Sequence, residues 1–380
     1  MKEILTRNEC SAMRGIAIIA IMLHNYCHFI GKIVKENEYM FQTVNNDRLW
    51  YALMHPDELL PVHLLSYFGH YGVPVFLFLS GFGLVLKYET SQRDRRAVGC
   101  DLQQGMNPCG VGRFLRYHYL KLLRMLIVGF TLFLMVDAVT PGRFAFHWDN
   151  VLAQLLMYIN VLPEPDKIIW PGIYWFFGLM MELYIVYRLL IYRRSSWVVV
   201  ALIVVCWLLQ VFCDPDGDTL NRLRYNFIGG MLPFGLGILA ARVPKVGARL
   251  GRFASRRIFR SQGGNVLFPR WEYLVGFLLA SFLIVAMGFW YHSWLWVPVF
   301  IIIGTIALVK MMPECILKVF VWFGGISAAM FVVHPIVRKL FITVAWRQDI
   351  YDGLMLYVIV TIALSWAVKQ VIDRIPAPKL

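Results

Sequence analysis

Charge is what this sequence has least of. Only 16% of its 380 residues are Asp, Glu, Lys or Arg, against 59% hydrophobic. That is too little charge to cover the surface of a water-soluble protein of this length. What charge there is leans one way, with 37 Lys and Arg against 23 Asp and Glu. The positives gather between apolar runs and do not interleave with solvent-facing aromatics. The excess therefore marks membrane topology, and no nucleic-acid partner is expected. Cysteine is sparse too: seven, an odd number without a paired framework, so no disulfide scaffold is expected. Cys27 and Cys206 fall in apolar runs, and the eight residues between Cys100 and Cys109 are no zinc-ligand spacing. No metal ligand set is read from the chain. There is no glycine-rich GxxxxGK loop, which removes support for an ATP-driven reaction. Also missing are an internal repeat of the inverted-repeat transporter kind, a low-complexity segment and an evident cleavable signal peptide.

What is present is hydrophobic length. Runs long enough to span a bilayer fall at roughly 14–30, 70–88, 118–138, 170–191, 196–212, 226–242, 272–290, 293–310, 319–341 and 351–372. The expected fold is all-α: a polytopic transmembrane helical bundle of about ten spanning helices plus short interfacial or re-entrant helices. An eleventh apolar segment, Val151 to Leu162, is short and is followed by Pro163 and Pro165. Charge argues against its crossing. Ten spans with the N-terminus inside put Arg93, Arg95, Arg96, Arg113, Arg116 and the basic stretch after Arg242 on the cytoplasmic side, as loop charge bias requires. An eleventh crossing would turn the later basic loop outward. The segment is therefore read as interfacial or re-entrant. Residues 1–380 are read as one membrane-embedded domain, with cytoplasmic loops at about 89–117 and 243–271 and both termini inside. An external loop at about 31–69 has room for amphipathic helices over the bundle mouth.

Polar groups inside spans are costly and are commonly kept for function. The first span, Met13 to Ile30, carries Arg14, His24, Asn25 and His28. At ~100° per residue, Asn25 lies about 20° and His28 about 40° from Arg14, with His24 roughly 80° round. A cation at the membrane edge and imidazole ~15–21 Å further along the axis suit an anion handle and a proton acceptor. In the second span Ser80 and Gly81 allow either close helix packing or a polar lining for an acyl chain, while His70 at its external end is expected to be solvated. Lys121 and Arg124 share a face at the start of the third span, where they serve topology or bind phosphate. Glu182 in the fourth and His334, directly before Pro335 in the ninth, are intramembrane titratable groups. Each is a site candidate or a structural partner.

The order of these pieces resembles acyltransferase family 3, membrane O-acyltransferases of bacterial surface sugars. The resemblance rests on the Arg-Gly-Ile-Ala opening at Arg14, the Gly-Val-Pro…Phe…Ser-Gly-Phe pattern from Gly72 to Phe82, and the basic pair Lys121 and Arg124. It extends to Trp175–Tyr184, the run ending at Arg242, and Gly-x-x-Ser…His-Pro from Gly324 to Pro335. Two positions depart from the family pattern. Where the family shows a basic residue, ten intervening residues and then His, this chain has Asn25, with His24 one residue early. Its Arg-x-x-Arg is Lys-x-x-Arg here. Asn cannot exchange a proton as imidazole does, and Lys lacks the guanidinium fork.

The resemblance implies transfer of an acyl group, acetyl being the one expected, from cytoplasmic acetyl-CoA or another acyl-CoA to a hydroxyl of a carbohydrate or glycolipid, with no tightly bound cofactor. It implies a bacterial inner-membrane protein among membrane lipids. The donor is expected at Arg14, Lys121, Arg124 and Ser80. Chemistry is expected from His24 first, then His28, Asn25, His334 and Glu182. The competing reading is a transporter or exporter of an acylated sugar or organic acid without covalent chemistry.

Overall fold

The computed structural model of this chain describes residues 4–37, 39–89, 110–242, 270–346 and 349–379. Among them every regular element is helical. This follows from an apolar chain in lipid, where a helix satisfies its own backbone polar groups. In order these are α1 (Arg7–Cys27), α2 (Thr43–Met54), α3 (Leu60–Gly69), α4 (Gly72–Tyr88), α5 (Val111–Val139), α6 (Trp148–Leu155), α7 (Trp175–Val186), α8 (Ser196–Val211) and α9 (Asp218–Tyr225). Then follow α10 (Phe227–Arg242), α11 (Arg270–Met287), α12 (Tyr291–Trp294), α13 (Val297–Met311), α14 (Glu314–Trp346) and α15 (Ile350–Arg374).

Seven helical stretches are long and apolar enough to cross a membrane: α1, Leu60–Tyr88, α5, Gly172–Ile191, α11, Glu314–Thr343 and α15. Three shorter apolar helices, α8, α10 and α13, occupy the other expected runs. The chain is an integral membrane protein built as a polytopic helical bundle. Segment 151–162 forms only the end of α6 and a 3-10 turn at Ile159–Val161. The basic stretches 90–109 and 243–269, with Cys100 and Cys109, lie outside the described residues.

Two expectations change. The second span begins at Leu60 and not near residue 70, because α3 and α4 run on as one 29-residue apolar stretch. The loop expected on the outer side is correspondingly shorter and contains α2. His70, expected in solvent, sits at the α3–α4 junction with its ring 5.3 Å from that of His24 and 5.9 Å from Tyr39.

Helix α1 is the organising element. Thr6 and Glu9 close its N-terminus as a capping box: Thr6 Oγ1 accepts from the Glu9 N–H (3.2 Å) and Glu9 Oε2 from the Thr6 N–H (2.6 Å). Lys310 of α13 adds an ion pair to Glu9 at 2.8 Å. Small residues then bring α14 into backbone contact. A methyl group added at Gly15 would stand 2.1 Å from the Phe320 oxygen, and one at Gly324 2.0 Å from the Ser11 oxygen. The same device joins α4 to α10, where a Cβ at Gly81 would meet the Phe234 oxygen at 2.2 Å. Gly81 is thus a packing residue, as small residues in membrane helices often are. Gly83 has no neighbour within 4 Å of such a Cβ.

Candidate active site

Two polar clusters lie along α1. The first is basic. Arg14, Lys87 at the end of α4, and Tyr117 and Arg124 of α5 are all within electrostatic reach of Lys121. Lys87 Nζ donates to the Tyr117 hydroxyl at 3.1 Å and lies 4.3 Å from its ring centroid. Arg124 donates to the Ile375 carbonyl beyond α15 at 3.0 Å, which ties the chain end to this cluster. His118, one helical turn before Leu122, is buried with Nε2 3.0 Å from the Tyr88 hydroxyl. Arg14 and Lys121 are exposed, so an anionic ligand can reach both. Among the described residues the arrangement therefore gathers four cations from three helices, and no carboxylate is among the groups acting on Lys121.

The second cluster forms where α1 ends. His24 and His28 are one turn apart, with ring centroids 5.3 Å from each other. Between them stands Glu36, from the segment that follows α1. Its Oε2 accepts from His28 Nδ1 at 3.1 Å, and its Oε1 lies 3.4 Å from His24 Nε2. His24 Nδ1 donates to the Ser66 carbonyl at 2.5 Å. That contact places a proton on Nδ1, since a carbonyl oxygen only accepts. Ser66 can approach because α3 presents Gly69 to α1, where a Cβ would stand 2.5 Å from His24 Cβ. His28 differs from His24 in access: its side chain is 31% exposed against 6%.

Glu36 is buried, which alone would raise its carboxyl pKa. The imidazoles of His24, His28 and His70 outweigh burial and hold it below the ordinary carboxylate value. A buried amide network fixes the segment that carries it. Asn37 Oδ1 accepts from the Gln42 N–H (3.1 Å) and Asn45 Nδ2 (2.9 Å), and Asn37 Nδ2 donates to Asn46 Oδ1 at 3.2 Å. Asn46 reaches the Gly288 carbonyl at 2.6 Å, and Trp294 Nε1 donates to the Asn37 carbonyl at 3.0 Å. Near α7, Gln154 Nε2 donates to the Tyr174 carbonyl at 3.2 Å and Asn160 Nδ2 to the Tyr225 carbonyl at 3.4 Å.

Asn25 points elsewhere. Its Oδ1 accepts from Arg338 of α14 at 3.2 Å, and the Arg338 guanidinium lies 3.8 Å over the Phe29 ring. Arg338 is itself buried. One turn before it, His334 is fully buried. Its Nδ1 donates to the Met330 carbonyl at 2.9 Å, while its Nε2 has no hydrogen-bond partner among the described residues. His24 and Arg338 both act on it electrostatically, so His334 borders this cluster.

A profile of the acyltransferase domain family matches residues 8–369, nearly the whole chain. The chain belongs to acyltransferase family 3. No curated protein and no solved structure matches it. In this membrane acyltransferase, then, Arg14, Lys121 and Arg124 come together in the basic cluster. His24 and His28 come together in the other, which His334 borders, while Asn25 turns to Arg338. Two other expected site residues join neither. Glu182 accepts from the Phe227 N–H at 2.8 Å, capping the start of α10. Ser80 donates to the Phe76 carbonyl within its own helix at 2.8 Å.

Glu36 and Arg338 were not picked out from the sequence. Arg338 carried a usable signal, being a cation within an apolar run four residues after His334, on the same helix face. Glu36 carried none, since it sits in a polar stretch (Lys35-Glu36-Asn37) that looks like any solvated loop.

Proposed function

We propose that this protein moves an acyl group, acetyl being the expected one, from acyl-CoA to a hydroxyl of a carbohydrate or glycolipid. The observation that carries this reading is that one helix bears both clusters: cations at Arg14, and an imidazole–carboxylate pair ~15–21 Å further along its axis. In the proposal the Arg14 end faces the cytoplasm of a bacterial inner membrane, with both termini inside. Loop charge supports that orientation.

The phosphates of the donor sit among Arg14, Lys87, Lys121 and Arg124 through charge-assisted hydrogen bonds. Its thioester extends along α1 toward His28. His28 Nε2 takes the hydroxyl proton as the hydroxyl oxygen attacks the thioester carbonyl carbon. The carbon–sulfur bond then breaks, and the CoA thiolate leaves and takes the proton from the His28 imidazolium, which restores the base. We favour His28 over His24 as the base on access and wiring. Glu36 holds its Nδ1–H and leaves Nε2 directed away, whereas His24 is buried with both ring nitrogens facing oxygens. Glu36 stabilises the imidazolium that forms, and such a positioned base contributes roughly 10²–10⁴-fold. Arg338 supplies positive charge for the tetrahedral oxyanion. Asn25 orients Arg338, which gives the position a role that needs no proton exchange.

The test uses the full chain in vesicles with labelled acetyl-CoA on the Arg14 side and a glycan acceptor on the other. Transfer of label to glycan is expected, with kcat reduced roughly 10²–10⁴-fold in His28→Ala and KM for acetyl-CoA retained. Loss in His24→Ala with full activity in His28→Ala would move the base to His24. Passage of glycan without labelled product would replace the enzyme by the transporter reading.

A further inference from the structure

His24, His28 and Glu36 offer one donor atom each, and these atoms lie within 4.8 Å of one another. His24 Nε2 lies 3.4 Å from Glu36 Oε1 and His28 Nδ1 lies 3.1 Å from Glu36 Oε2, so each imidazole faces its own carboxylate oxygen at close to the separation of about 3.3 Å between ligands on a tetrahedral zinc ion. The two histidines stand at i and i+4 where α1 ends, the helical spacing by which two imidazoles share one metal. The Ser66 carbonyl holds His24 Nδ1–H at 2.5 Å. This is the outer contact that fixes the tautomer of a metal-ligating histidine and points its other nitrogen at the ion. In that tautomer the His24 Nε2 lone pair faces a carboxylate oxygen across 3.4 Å. Two acceptors so placed can share a cation, either a proton or a metal.

We propose that His24 Nε2, His28 Nδ1 and Glu36 form a zinc-binding site, and that Zn²⁺ there reversibly blocks acyl transfer. Two imidazoles and one carboxylate suit zinc and not magnesium, which takes an all-oxygen shell. Three protein ligands leave a fourth position open, on the half-exposed His28 side. One carboxylate leaves the occupied site with a net positive charge, beside the Arg338 cation. Occupancy is therefore reversible and unlike that of a permanent structural zinc. Bound zinc would hold the His28–Glu36 pair and remove the proton acceptor. The inhibitory part rests on the proposed function above; the binding part does not.

The full chain, purified in detergent with its metals removed, is titrated with Zn²⁺ against a chromophoric chelator. A single equivalent is expected to bind, and Mg²⁺ is expected not to compete. Glu36→Gln keeps the side-chain volume and is expected to weaken binding by about tenfold or more; His28→Ala is expected to do the same. Co²⁺ in place of zinc is expected to give the intense visible bands of a four- or five-coordinate ion, which both variants lose. Helical circular dichroism and a monodisperse elution profile identify the folded variant that is compared. Zinc binding of equal strength in wild type and variants would overturn the site, as would a failure of wild type to bind. Zinc binding with no loss of acyl transfer would overturn the inhibition alone, and absent acyl transfer without zinc would count against the proposed function alone.

Discussion

Replacing Glu36 by glutamine keeps the shape of the side chain and an oxygen that can accept from His28 Nδ1, now 3.1 Å away. Only the negative charge goes. Its three imidazole neighbours outweigh burial and hold Glu36 as an anion, so the variant removes a charge the wild type uses. A hydrogen bond to a charged group is worth about 1.5–3 kcal/mol. Here that energy is drawn on when His28 becomes an imidazolium in the transition state. At about 1.4 kcal/mol per tenfold, kcat for acyl transfer should fall roughly 10- to 150-fold. The donor phosphates are held at the other cluster, ~15–21 Å along α1, so KM for acyl-CoA should hold steady. Release of the CoA thiol by the reconstituted chain gives both constants, and thermal unfolding of the same sample checks the fold. An unchanged kcat, or a loss that shows only in KM, would refute the Glu36–His28 dyad as the proton-accepting unit.

Other consequences follow from single contacts. Lys121→Gln removes one of the cations of the basic cluster and should raise KM for acyl-CoA about tenfold with kcat unchanged, read from the same kinetics. Arg242 makes a two-pronged bond to Glu89, both contacts at 2.8 Å, and also donates to the Ile191 and Arg194 carbonyls. Arg242→Ala strands a largely buried carboxylate and should cost about 3–5 kcal/mol of stability, seen as a lowered unfolding temperature that Glu89→Gln partly restores. Gly324→Ala would place a Cβ 2.0 Å from the Ser11 oxygen and should destabilise by about 1–3 kcal/mol. Gly325→Ala, with nothing within 4 Å, should be neutral in the same melting experiment.

The membrane bundle was legible because lipid imposes a strong rule. Each span must be apolar and about twenty residues long, and composition alone shows that. The start of the second span was misjudged because α3, with Pro61, His63 and Ser66, is less uniformly apolar than α4. Helical spacing also found the α1 residues, yet grouped them incompletely. Angle about an axis says which residues share a face, not what approaches that face. It set Asn25 beside His28, whereas the structure gives Asn25 to Arg338 and joins His24 to His28 through Glu36. Glu182 and Ser80 were equally visible as polar groups in spans. One caps α10 and the other bonds within its own helix, a distinction that depends on neighbours and not on residue type.

The sequence by itself determined the solvent this protein lives in, its helical class and the family it belongs to. All three depend on properties summed along the chain: hydropathy, run length and the order of short motifs. Tertiary structure alone decided what the polar groups do. Glu36 reaches the two histidines only because an amide network around Asn37 folds the segment after α1 back over its end. Arg338 reaches Asn25, 313 residues earlier in the chain, only because Gly15 and Gly324 let α1 and α14 touch. A buried charge is defined by the partner that offsets its desolvation, and that partner is set by packing between segments distant in sequence.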